Sequence, residues 1–163
     1  YATVQNKLHW AIHGKTAAEI IKTRANASKK NMGLTTWKNS PTGPIRKQDV
    51  SVAKNYLAEE EMSALNRIVT MYLDYAEDQA KSRTQMHMTD WMKKLDGFLQ
   101  FNEKNILTHA GKISHQIALD DAEGEFEKYE ERRRRIESTQ SVSDFDKAVE
   151  KITHKLPKPK KKK

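Results

Sequence analysis

The chain has no cysteine, which removes a disulfide framework, a thiol nucleophile and a thiolate metal site together. It also lacks a long apolar run. The longest, Ile68 to Leu73, is interrupted by Thr70 and falls far short of the roughly 20 residues that cross a bilayer, so no membrane span is expected. Leu, Ile, Val and Phe make up only 30 of the 163 residues, close to the composition at which a chain stops burying enough to fold. Three Trp, five Tyr and six Met compensate in part. A single folded domain with a thin core is expected, one that gains stability by packing on other copies or segments. The chain opens at Tyr1 without Met or a basic and apolar leader, which reads as a start inside a longer, cytoplasmic protein.

What is present is charge, unevenly placed. Residues 1–58 hold ten Lys or Arg against Glu19 and Asp49 alone. Residues 59–138 hold twelve basic and seventeen acidic residues, and six lysines from Lys155 onward face no acid. A basic third that also carries Trp10, Trp37 and Tyr56 has the chemistry to neutralise phosphates and to offer rings for stacking. The plain alternative is a solvated basic face. The end of the chain, LPKPKKKK, has two prolines and a run of lysines and cannot build a core.

Between these charges the spacing is helical. Val4, Leu8 and Ile12 mark a first helix that stops near Gly14. Thr16 with Glu19 three residues on forms a capping box that opens a second. From Ala27 to Pro44 the pattern fails among Gly, Pro, Ser and Asn, which predicts a long loop. Asp49 can cap a short helix through Tyr56. A long helix follows over Glu59 to Arg83, with Met62, Leu65, Val69, Tyr72 and Ala76 on one seam and leading glutamates that suit its positive end. Further helices are expected over Thr89 to Leu107, over Ser114 to Ser138 with a thin stripe of Ile117, Ala118, Ala122, Phe126 and Tyr129, and from the Ser143–Asp146 pair to Thr153. The sequence therefore predicts an all-α fold. It is a helical bundle of about five to six helices with an irregular basic N-terminal region and a disordered Lys-rich tail. Residues 1–154 form a single helical domain, made of a basic part (1–58), a long-helix bundle (59–138) and a terminal helix (139–154), with 155–163 as the tail.

Several short motifs have both a chemical and a dull reading. Gly14-Lys15-Thr16 resembles the end of a phosphate-binding loop, but the first glycine would fall at His9 and a helix rather than a strand precedes it. His9 and His13 have a zinc-binding spacing. Trp10 stands where a metalloprotease needs Glu, and no third ligand is spaced to join them, so neither a metal nor any other cofactor is expected. Asp74, Glu77 and Asp78, or Asp121 and Glu125, are spaced to share a proton or a metal, as charged helix faces constantly are. Arg132 to Arg135 fan around a helix and cannot make one patch; Glu130 with Arg134 and Glu131 with Arg135 have the favourable acid-first spacing instead.

The stretches ATVQNKLHWAI, GKTAAEII, NMGLTTWKN and AKNYLAEEEMSALNRIVTMYLDYAEDQA, followed by FLQFNEKNILTHAGKIS, resemble the C-terminal half of the bacterial RhuM virulence protein family, from Tyr1 to about Ile152. Two positions depart from that family's pattern: His13 replaces a more usual Thr, and Ala58 replaces a capping Asn or Ser. The resemblance implies a bacterial protein whose full-length relatives look like DNA-binding proteins in an N-terminal half that is missing here. It implies no chemistry: there is no His-Pro-Phe motif and no dinucleotide fingerprint.

Charge and resemblance together point to a DNA-associated module rather than an enzyme. The middle helices would serve homo-oligomer formation and the basic front phosphate contact. The expected nucleic-acid residues are Lys7, Lys15, Arg24, Lys38, Lys54 and Asn55, with Trp37 as a stacking ring. Two alternatives stand beside it. One is a non-catalytic scaffold that docks an acidic protein. The other is a phosphodiester-acting enzyme built on His9, Lys15, Thr35, Thr36 and Asn55.

Overall fold

The computed structural model describes residues 2–83 and 85–155. Among them are α-helices and two 3-10 turns, with no strand. Residues through Phe126 form one compact unit and those from Glu127 a second.

In the first unit, α1 (Ala2–His13) carries the Val4, Leu8 and Ile12 stripe. The capping box then opens α2 (Ala17–Arg24): Thr16 Oγ1 accepts from Glu19 N at 3.3 Å and the Glu19 carboxylate accepts from Thr16 N at 2.9 Å. Ile20 and Ile21 follow, fully buried. The long loop contains a 3-10 turn, Lys30–Gly33, in which Asn31, Met32 and Gly33 all have positive φ. Gly33 is required there, since a Cβ would lie 2.4 Å from the Arg24 carbonyl oxygen in a conformation that disfavours side chains.

Where one helix from Asp49 to Tyr56 was expected, there are two short pieces: α3 (Lys47–Val50) and a 3-10 turn, Ala53–Tyr56. Asp49 is not the cap but sits in the first turn of α3, its carboxylate accepting from Arg46 N at 2.8 Å. The chain leaves helical geometry at Val52 (φ −106°, ψ 107°). That places Tyr56 so that its hydroxyl donates to Val50 O at 2.9 Å.

The two helices that follow are α4 (Glu59–Lys81) and α5 (Met88–Phe101). Although Ala58 cannot cap, Glu61 reaches back to accept from its amide at 2.9 Å. The expected seam of α4 is only half-covered: Ile68 is buried, whereas Met62, Leu65, Val69, Tyr72 and Ala76 stay half-buried. Helix α5 ends at Phe101, six residues before Leu107. Glu103 adopts positive φ, and the Lys104 amide donates back to Leu99 O at 2.9 Å, a Schellman-type stop. The core of these helices is Ala11, Ile68, Leu95 and Leu99, ringed by Val4, Leu8, Ile12, Tyr72, Phe98 and Ile106.

Helix α6 (His115–Lys155) is continuous where two helices were expected, running through Ser143 without a break. Its opening turns bury Ala118 and Ala122 completely, while Ile117 is 52% exposed. Small side chains there let the backbone approach the rest of the unit closely. The loop before it is held by Gly111, whose φ is +88° and whose Cβ would lie 2.8 Å from Thr16 Cγ2.

In the second unit the arginine run is absorbed along its own helix. Arg133 pairs with Glu130 at 3.1 Å and Glu137 at 3.4 Å, Arg134 with Glu130 at 3.9 Å and Arg135 with Glu131 at 3.3 Å. The tail from residue 156 lies outside the described residues. No described helix is long and apolar enough to cross a membrane.

Candidate nucleic-acid interface

The loop between α2 and α4 is organised by one buried carboxylate. Asp49 is 6% exposed and accepts from the backbone amides of Arg46 at 2.8 Å and Lys38 at 3.2 Å. Its own carbonyl accepts from Asn55 Nδ2 at 2.9 Å. Three turns of the same loop thus meet at Asp49, bringing with them Lys38, Arg46 and, beside Asn55, Lys54. All three of these cations are exposed, and none has an ion pair among the described residues. Lys29 and Lys30, in the neighbouring turn, are likewise exposed and unpaired.

Four other cations of the basic third are paired with acids of the same unit. Lys7 pairs with Asp96 at 2.6 Å and donates to Leu107 O at 3.4 Å, its side chain only 12% exposed. Arg24 makes a bidentate pair with Glu61 at 2.5 and 2.6 Å and also donates to Tyr56 O at 2.8 Å. Lys22 pairs with Asp121, and Lys47 with Glu123 at 3.0 Å. Acids from residues 59–138 therefore neutralise four of the ten expected cations individually. Hydrogen bonds from Arg24 hold the Glu61 carboxyl down at about 2 against the opposing effect of burial.

This places the expected site residues in two groups. Lys38 and Lys54 lie on the exposed cationic loop, and Lys15 stands apart, donating to Thr23 Oγ1 at 3.3 Å. Lys7 and Arg24 are corrected: their charge is committed to Asp96 and Glu61. Trp37 is also corrected as a stacking ring, because it is 8% exposed and its indole N–H donates to Gly43 O at 2.7 Å. It is the core of its own loop. Asn55 is buried as well, with its amide given to Asp49. Arg46, Lys29 and Lys30 join the exposed unpaired set without having been singled out in the sequence, where the available signal was that only two acids, Glu19 and Asp49, stand in the basic third.

The other motifs are occupied by structural bonds. At the mouth of α2 the free amides are already taken: Thr16 N by Glu19, Ala17 N by Asn6 Oδ1 at 3.1 Å, and Glu19 N by Thr16. Glu19 itself fills the place an anion would take, and it also accepts from Lys112 N at 2.8 Å. Burial opposes its ionisation, but these donors lower its pKa overall. Of the polar set expected for phosphodiester chemistry, Thr35 spends its hydroxyl on Leu57 O at 2.6 Å and Asn55 O at 3.0 Å. No hydrogen bond among the described residues joins His9 or Lys15 to Thr35 or Asn55. Asp121 serves Lys22, and Glu125 accepts from Ala27 N at 2.7 Å. No cluster of three metal-ligating side chains forms among the described residues.

His9 and His13 stack with ring centroids 5.3 Å apart. Desolvation, with a smaller contribution from His13, lowers the His9 pKa to about 4, so its ring is neutral at neutral pH. His9 lines a groove of about 800 Å³ between α1, α4 and α5. At its far wall Tyr72 packs against Trp91 and Phe98, with centroids at 6.2 and 5.5 Å. The Tyr72 hydroxyl donates to Trp91 O at 2.7 Å.

A family model described as the virulence protein RhuM family matches residues 1–137, ending before the Ile152 expected from the resemblance. Neither a curated protein nor a solved structure matches the chain.

Proposed function

The chain belongs to the virulence protein RhuM family, and from that premise we propose that its first unit is a phosphate-contacting module of a virulence-associated protein, acting on nucleic acid without base readout. The observation that carries this is the group of three exposed, unpaired cations, Lys38, Arg46 and Lys54, gathered about the buried Asp49. Unpaired cations on a fixed loop release counterions when they meet phosphates. Affinity should then fall steeply as salt rises.

Fluorescence anisotropy with a mixed-sequence duplex between about 50 and 200 mM salt tests it. The triple variant Lys38→Ala, Arg46→Ala, Lys54→Ala should weaken low-salt binding at least 30-fold and flatten the log–log salt slope by about 2 to 3, one contact per removed cation. Unchanged affinity in that variant, or no binding by about 100 μM at low salt, overturns the proposal. The same exposed cations also fit an acidic protein surface. That second reading predicts a stoichiometric protein complex and indifference to duplex DNA.

A further inference from the structure

The groove beside α4 combines an apolar interior with a few polar side chains in its lining. Its walls are hydrocarbon and aromatic, among them Leu8, Leu65, Val69 and Trp91, and its polar lining comes from Gln5, His9 and Lys54. His9 is 8% exposed, and its Nδ1 is closed to solvent even with the groove empty. Lys54, at the other extreme, is exposed and has no ion pair among the described residues. At about 800 Å³ the space lies in the range of small-molecule sites, which are mostly apolar with a few placed polar groups.

We propose that this groove binds an amphipathic monocarboxylate, an acyl or aryl acid, with its apolar body between α1 and α4 and its carboxylate toward Lys54 and Gln5. One lysine ammonium compensates one carboxylate charge, and the Gln5 amide supplies a second donor.

The test is calorimetric titration of the full chain with decanoate and, separately, decan-1-ol, together with sedimentation of the free protein. Decanoate should bind saturably at one site, with a dissociation constant at or below about 100 μM. Lys54→Ala should weaken decanoate about fivefold and leave the alcohol unchanged, as for a solvent-accessible ion pair. Leu73→Glu puts an acid on the groove at a position 61% exposed, so the fold is kept and decanoate loses far more affinity than the alcohol. Val69→Trp, checked for native helicity by circular dichroism, should abolish both. Non-saturating uptake up to about 1 mM decanoate overturns the proposal, as does equal binding by wild type and all three variants. A dimer that Leu73→Glu dissociates and that ignores decanoate assigns the groove to a second copy and also overturns it.

Discussion

Arg24 was expected to touch phosphate, and the structure gives it a different task that a substitution can expose. Its guanidinium ties α2 to the start of α4 through two bonds to Glu61 and one to Tyr56 O. The side chains of the pair are 27% and 25% exposed, between the surface pairs worth under about 1 kcal/mol and the buried ones whose rupture costs about 3 to 5 kcal/mol. Arg24→Ala should therefore destabilise by about 2 kcal/mol, part of it from leaving the Tyr56 carbonyl without its donor. With a urea slope of about 2 kcal/mol/M, the midpoint falls by about 1 M. Arg24→Lys should recover less than half, because one ammonium cannot reproduce a planar fork that serves a carboxylate and a carbonyl together. Urea titrations followed by circular dichroism measure these shifts, and the double variant with Glu61→Ala should show the two losses to be strongly non-additive. Duplex affinity of folded Arg24→Ala should stay within about threefold of wild type, since the charge it removes was already paired. A destabilisation under about 0.5 kcal/mol, or full rescue by Lys, would refute the assignment.

The buried histidine predicts a pH dependence with a definite sign. His9 titrates at about 4 in the folded chain against an ordinary 6.5, so the unfolded chain takes the proton first. Stability is full above about pH 6.5 and falls toward pH 4, by up to about 3 kcal/mol. His9→Phe should flatten that part of the stability profile, and an unchanged slope across it would show that His9 is not the group responsible. For the loop anchor, Asp49→Ala strips acceptors from the Arg46 and Lys38 amides and should cost about 2 to 4 kcal/mol. It should also weaken duplex binding despite raising the net charge by one, whereas tighter binding would mean that total charge rather than the loop's organisation governs contact.

Elements whose start and stop are written in local bonds were legible in advance. The Thr16–Glu19 box and the break at Gly14 are decided within a few residues, and so are the i, i+4 pairs of the second unit. What escaped was decided at a distance or by the backbone alone. Helix α5 stops at Phe101 because Glu103 adopts a left-handed conformation, which that residue type does not announce. The short helix splits at Val52, where the Asn55 and Tyr56 side chains donate back to the Asp49 and Val50 carbonyls in place of helical amides. The apolar seam on α4 was legible, but its surroundings were not: it lines the groove together with residues of α1 and α5.

The site was legible in kind and not in membership, for a reason specific to charged residues. A lysine's periodicity says which way it points only when the helix has a clear apolar face, and in the basic third most cations lie in loops or at helix ends. Whether each is free depends on acids far along the chain: Asp96 for Lys7, Glu61 for Arg24, Asp121 for Lys22 and Glu123 for Lys47. Those acids belong to the segment that looked like a separate negative shaft. Four of the ten cations of the basic third thus tie it to the helices that follow, the Lys7 and Arg24 pairs being the less exposed ones. Among the described residues the cations around Asp49 and in the neighbouring turn, together with Lys15, have no ion pair, and a surplus that the fold does not consume is what an external anion can use.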